Sequence, residues 1–180
     1  DSGSDITKFI AEKKDAGVWK TVDTGTGTGG SVVLSDINGD TATINLYHIA
    51  AINNCSGKVA ISETVRNIVL SSSTEGKDII LRWNNPFVGE PALFTIHRNI
   101  GNGFEEVATG LTDTLFIDDY PAFAASVATG IIVYRVSGTR YDALPGTVES
   151  LSSAAQEQSI ENIMAANAFT PDGDGRNDSF

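Results

Sequence analysis

The chain contains a single cysteine, Cys55, in 180 residues. One thiol cannot close an internal disulfide or build a cysteine-based zinc site, so neither device holds this fold together. Basic residues are scarce too: 12 Lys and Arg face 23 Asp and Glu, for a net charge of -11. A field of that sign repels phosphate backbones and anionic headgroups, which argues against nucleic acid as a partner. No window approaches the roughly 18 consecutive apolar residues of a membrane-spanning helix. The opening Asp1-Ser2-Gly3-Ser4 has neither the basic nor the apolar part of a signal peptide. With 41% hydrophobic residues, the composition still suffices for a packed core and excludes wholesale disorder.

What is present is a β pattern. Short runs rich in Val, Ile, Thr and aromatics recur between clusters of Gly, Asn, Asp and Ser, the spacing of an antiparallel sandwich. Seven strands are expected over residues 68–70, 78–83, 92–100, 104–108, 115–117, 131–137 and 147–151. In the second of these Ile79, Leu81 and Trp83 share one face by period-two alternation, which makes Trp83 the expected centre of the core. Gly101-Asn102-Gly103 supplies the positive-φ residues of a tight hairpin, and Pro86 and Pro91 mark a loop ahead of the third strand.

The first 66 residues repeat part of this order. Phe9-Ile10-Ala11-Glu12 aligns with Phe94-Thr95-Ile96-His97, and Val18-Trp19 aligns with Gly103-Phe104. Further on, residues 31–36 align with 111–118, and Leu46-Tyr47-His48-Ile49-Ala50 with Val133-Tyr134-Arg135-Val136-Ser137. Two copies of one module are expected, the first without the two strands that precede Ala92 in the second. Its sheet is therefore expected to be open, as though the chain began inside a domain.

The order Trp83, Phe94 to Arg98, Phe104 with Val107-Ala108, Phe116 to Asp119, then Tyr134-Arg135-Val136 resembles a fibronectin type III module of bacterial surface proteins. The resemblance implies structural roles for Trp83, Tyr134 and, in the first copy, Tyr47. At the other end, Asn167-Ala168-Phe169-Thr170-Pro171-Asp172-Gly173-Asp174-Gly175-Arg176-Asn177-Asp178-Ser179-Phe180 resembles the opening of the gliding-motility-associated C-terminal domain. That domain is the type B sorting domain of the Bacteroidetes type IX secretion system; its usual Asn after Thr-Pro is Asp172 here. The resemblance implies a large exported protein, held at the cell surface, whose tail engages outer-membrane translocon components and their associated barrel proteins.

The expected organisation is all-β: a partial fibronectin type III-like module at 1–66, a full one at 67–153, a linker at 154–161 and the start of the sorting domain at 162–180. Propensity over 154–166 favours a helix, with Ile160, Ile163 and Met164 at helical spacing, whereas the resemblance implies extended chain; extended chain is the expectation.

Within the tail, Asp172, Asp174, Asn177 and Asp178 place four oxygen-bearing side chains close together, with Gly173 and Gly175 to let the backbone curl. The group reads either as a hard-cation site, with calcium the cofactor it suits, or as a solvated acidic turn; an EF-hand's glycine and glutamate positions are missing. Asp36-Ile37-Asn38-Gly39-Asp40 raises the same question and reads better as an Asn-Gly turn. The bacterial resemblance further implies O-glycan acceptors at Asp40-Thr41-Ala42 and Asp113-Thr114-Leu115, hence Thr41 and Thr114; ordinary bare loops are the other reading. Around Cys55 it leaves open a partner elsewhere in a longer protein or a buried free thiol.

No catalytic constellation stands out. The run Thr24-Gly25-Thr26-Gly27-Thr28-Gly29-Gly30 lacks the Lys-Ser/Thr of a phosphate loop. His48 and His97 fall on strands of different copies, and Asp118-Asp119 and Glu105-Glu106 point alternately, as solvated edge charges would. A non-catalytic surface protein is therefore expected, an adhesin or a motility-associated filament. The alternatives are the stalk of an exported enzyme, or a carbohydrate-binding module with Trp19, Phe104 or Tyr141 as a platform; the first two fit core positions.

Overall fold

The computed structural model describes residues 5–26, 32–127, 130–140, 149–152 and 154–158. Its elements are nearly all strands. In the first module β1 (Ile6–Asp15) turns into β2 (Val18–Gly25), and β3 (Leu46–Asn53), β4 (Lys58–Ile61) and the short β5 (Val65–Arg66) follow. The antiparallel order is β2-β1-β3-β4, with β5 beside the start of β3. The β1–β2 turn holds Ala16 and Gly17 both at positive φ, 47° and 85°, the handedness that a two-residue hairpin loop requires.

The second module has two sheets. One is β6 (Ser71–Glu75), β7 (Asp78–Arg82) and β10 (Leu115–Asp119) in the order β10-β7-β6. The other is β8 (Ala92–Asn99), β9 (Phe104–Leu111), β11 (Ile131–Arg140), β12 (Glu149–Leu151) and β13 (Ala155–Gln158), ordered β12-β11-β8-β9 with β13 also on β11. A single helical turn, α1 (Tyr120–Phe123), buries Tyr120 and Phe123 at one end. This is an all-β sandwich of two antiparallel sheets around one core. Alternation drives it: Ile79 and Leu81 of β7 face Phe94 and Ile96 of β8 and Ile132, Tyr134 and Val136 of β11, all fully buried. Trp83 meets Phe94 edge-on at 5.5 Å, as expected of the core tryptophan. Gly138 suits that packing, because a Cβ there would stand 3.0 Å from the Phe94 ring and push it aside.

The internal repeat is real down to the register. Lys13 pairs with Tyr47 and Glu12 with His48 in the first module; Arg98 pairs with Tyr134 and His97 with Arg135 in the second. Among the described residues the first module has one sheet and no counterpart of β6, β7 and β10. The modules meet without a free linker. Asn67 donates through Nδ2 to the Thr43 carbonyl and accepts from the Asn45 amide, Asn84 Nδ2 donates to the Asn67 carbonyl, and Arg140 pairs with Glu63 at 2.8 Å.

Several strands end a few residues from expectation, β9 at Leu111, β10 at Asp119 and β11 at Arg140, and three differences go further. Residues 68–70 are not a strand: Ile68 and Leu70 are buried, but the Val69 amide donates to the Asn84 side chain rather than to a neighbouring strand, and pairing begins at Ser71. The last strand is split. Ser152 sits at the break, its own amide bonded to the Val136 carbonyl and its hydroxyl accepting from the Val136 amide. Within the stretch read as a linker, 154–161, residues Ala155–Gln158 form β13, because β12 covers only Ser137–Thr139 of β11 and leaves Ile131–Tyr134 to be paired. Helical propensity yields there to a sheet edge. Residues 162–180 lie outside the described residues, and no described helix is long and apolar enough to cross a membrane.

Trp83→Ala is expected to destabilise the second module by about 3–5 kcal/mol, and Trp83→Phe by clearly less, since the indole nitrogen has no hydrogen-bond partner to lose. Urea denaturation of the two variants checks both.

Candidate functional site

Two groups of polar side chains are built into the sheets, and the first occurs twice. In the second module Asp118, on the inward side of β10 opposite Ile79, is buried between the sheets. It accepts from the Tyr134 hydroxyl at 2.6 Å and from Arg98 at 3.0 Å, while Arg98 also reaches Glu105 at 3.0 Å and lies 3.7 Å from the Phe123 ring centroid. Reading Asp118 as a solvated edge charge therefore fails, because the register of β10 turns it inward, where it ties the two sheets together; Glu105 stays exposed on the edge strand β9. Burial, reinforced by the Asp118 carboxylate, drives the Tyr134 phenol far above its ordinary pKa. In the first module the same places are taken by Asp36, Tyr47 and Lys13, at 2.9 Å and 3.3 Å. Burial and the Asp36 hydrogen bond push the Tyr47 phenol up to about 12. Burial works to raise the Asp36 carboxyl, but Tyr47 and Lys13 outweigh it and hold it below the usual range. Trp83 and Tyr134 are buried in the core of the second module, and Tyr47 is half-buried against Asp36.

The second group lies on the opposite face of the first module's sheet. His48 Nε2 stands 2.8 Å from Glu12 Oε2, and Lys58 donates to both Glu12 oxygens at 2.8 and 2.6 Å. Glu12 and His48 are buried, and Trp19 of β2 stacks on His48 with centroids 3.8 Å apart. Lys58, first, and His48 hold the Glu12 carboxyl below its ordinary value against the opposing effect of burial. Sequence reasoning treated His48 as a bland strand residue; the signal it lacked was register, which sets Glu12 directly opposite. In the second module Arg135 lies 4.2 Å from the Phe104 ring, the matching pair. Trp19 and Phe104 therefore sit on the outward faces of their sheets and not in cores, because each pairs with an outward residue, Lys14 or Asn99.

The remaining candidates are dispersed. Thr41 and Thr114 occupy exposed turns; the Asp40 side chain accepts from the Ala42 amide, and the Thr114 carbonyl accepts from Trp83. Asp36 to Asp40 forms a turn, with the Gly39 amide on the Asp36 carbonyl, and Asp36 is spent on Tyr47 and Lys13. Cys55 is exposed in the turn after β3, so it is not a buried thiol. His97, on β8, lies 3.1 Å from Ser137 Oγ, whereas His48 is on β3. Among the described residues no group of three or more His, Cys, Asp or Glu could hold a metal ion. Asp172, Asp174, Asn177, Asp178 and the whole motif from Asn167 onward, like Tyr141, lie outside the described residues. A cavity of about 360 Å³ between the modules is lined by Tyr47, Ile49, Ser62, Val65, Phe87 and Arg140, among others.

No family model matches the chain, and no curated protein does either. Among solved structures it is similar to a pectate lyase, PelI from Erwinia chrysanthemi in complex with tetragalacturonic acid, at 15% identity and a TM-score of 0.38 over 50% of this chain and 27% of that one. It is also similar to an Fn3-like protein from Clostridium thermocellum at 27% identity, TM-score 0.35, over 49% of this chain and 85% of that one. The chicken interferon gamma receptor alpha chain matches at 14% identity, TM-score 0.39, over 87% and 86%.

Glu12 and Asp36 have depressed carboxyl pKa values in the fold. The stability each contributes is whole above the unfolded carboxylate range and is lost as pH falls through the folded values. In a Trp83→Phe background, Trp19 fluorescence should report a first module that weakens below about pH 4, and Glu12→Gln should flatten that acid limb. Asp118→Ala, which strands Arg98 and Tyr134, should cost about 3–5 kcal/mol in a urea titration.

Proposed function

We propose that this chain is a non-catalytic portion of a large exported protein of a Bacteroidetes bacterium, with tandem β-sandwich spacers leading to a tail that addresses the type IX translocon. The adhesin or gliding-motility setting belongs to the same reading. The observation that carries it is the partly repeated module: β1, β2 and β3 recur as β8, β9 and β11 in the same register with the same cation-carboxylate-tyrosine cluster, joined by a directly hydrogen-bonded connection. A repeated scaffold with its polar chemistry committed to holding strands together suits a spacer. The resemblance of residues 167–180 to a type B sorting domain supplies the address. Localisation at the cell surface and contact with outer-membrane barrel components follow from that address, and strand addition is one mode by which a β-rich tail would engage a barrel protein.

A soluble reporter fused ahead of the region that runs from Ala154 to the gene's own stop codon is expected to reach the surface of a host with a working type IX system. It should stay in the periplasm when Phe169-Thr170-Pro171 is replaced by alanines. Fractionation and protease shaving read the outcome; export of both fusions, or of neither, counts against the address.

A further inference from the structure

Superimposing the modules by register isolates one face on which they differ in kind. On the outward face of the second module the central positions are Thr95, Ser137 and Thr139, with Thr95 hydrogen-bonded to Thr109 at 3.0 Å. Those positions are polar, and Ser137 lies 3.1 Å from His97. The matching positions of the first module are Ile10, Ala50 and Ile52, which form an apolar cluster exposed by only 8%, 0% and 5%. Around this cluster stand Lys8 where the second module has Leu93, Lys14 where it has Asn99, Lys58 on β4, and Trp19 where it has Phe104. Glu12 pins Lys58 and His48, and His48 stacks on Trp19, so the aromatic ring is held in place from below. Lys8 and Lys14 form no ion pair among the described residues, and the Lys14 ammonium lies 5.8 Å from the Trp19 ring centroid. Lys8, Lys14 and Lys58 around the single Glu12 carboxylate make a basic patch on a chain of net charge -11.

We propose that the outward face of the first module binds an anionic polysaccharide. Charge complementarity selects a polyanion, and the fixed, half-exposed Trp19 above the buried apolar cluster selects one whose repeating units have an apolar face. A carboxylated or sulfated pyranose has both: its C–H face lies on an indole while its anionic group meets an ammonium. An acidic peptide offers the charge without that face. This inference concerns β1 to β4 and is independent of the export reading, which rests on the tail.

The test is affinity electrophoresis and calorimetry of the whole chain against polygalacturonate, dextran sulfate, neutral dextran and polyglutamate, at low and high salt. Retention by one or both anionic glycans but not by neutral dextran is expected, weakening as salt rises. The first two probes separate carboxylate from sulfate preference. Lys8→Glu with Lys14→Glu, both on the sheet surface, should lower affinity about tenfold or more, whereas Lys77→Glu in the second module should leave it unchanged. Binding should also change the emission of Trp19, read in a Trp83→Phe background. No retention by either anionic glycan overturns the proposal. So does equal retention by polyglutamate with no change in Trp19 emission, which is plain ion exchange.

Discussion

A buried carboxylate between two sheets is the constraint on which the rest of the second module depends. Asp118 would be costly to desolvate alone; it is tolerable because Tyr134 and Arg98 donate to it and Arg98 in turn spans to Glu105. Since Tyr134 is on β11, Arg98 on β8 and Asp118 on β10, satisfying one carboxylate fixes the register of one sheet against the other. The apolar residues around it, from Ile79 to Val136, supply most of the burial energy but little of that specificity.

The first module repeats this cluster around Asp36 with weaker means. Lys13 replaces Arg98, so a point charge replaces a planar fork, and Asp36 comes from a turn instead of a paired strand. Its opposite face has gone another way. Where the second module keeps threonines and serine, the first carries a small apolar cluster beneath a glutamate, a histidine and an indole. One scaffold thus carries two surfaces of different chemistry on the same backbone.

Much of the scaffold was readable in advance. The alternation of Ile79, Leu81 and Trp83 placed the core face, and the aligned segments around Phe9 and Phe94, and around Tyr47 and Tyr134, placed the repeat. Residues 68–70 and 155–158 depart from the pattern because both depend on partners distant in sequence: a side-chain oxygen of Asn84 in one case, the uncovered half of β11 in the other. Trp19 and Phe104 were assigned inward on hydrophobicity, yet each follows a hairpin whose pairing turns it outward beside a cation. The buried His48 escaped notice for the same reason.

The order of residues alone determined that this chain is β-rich, repeated and acidic, because alternation, turn chemistry and charge are local properties that need no partner to be read. It also carried the whole case for the tail. Only the tertiary structure decided which carboxylates are buried and which are solvated, and which aromatics face out. Those outcomes follow from strand register, and register is set by hydrogen bonds between segments tens of residues apart, where a shift of one position exchanges every inward side chain for an outward one.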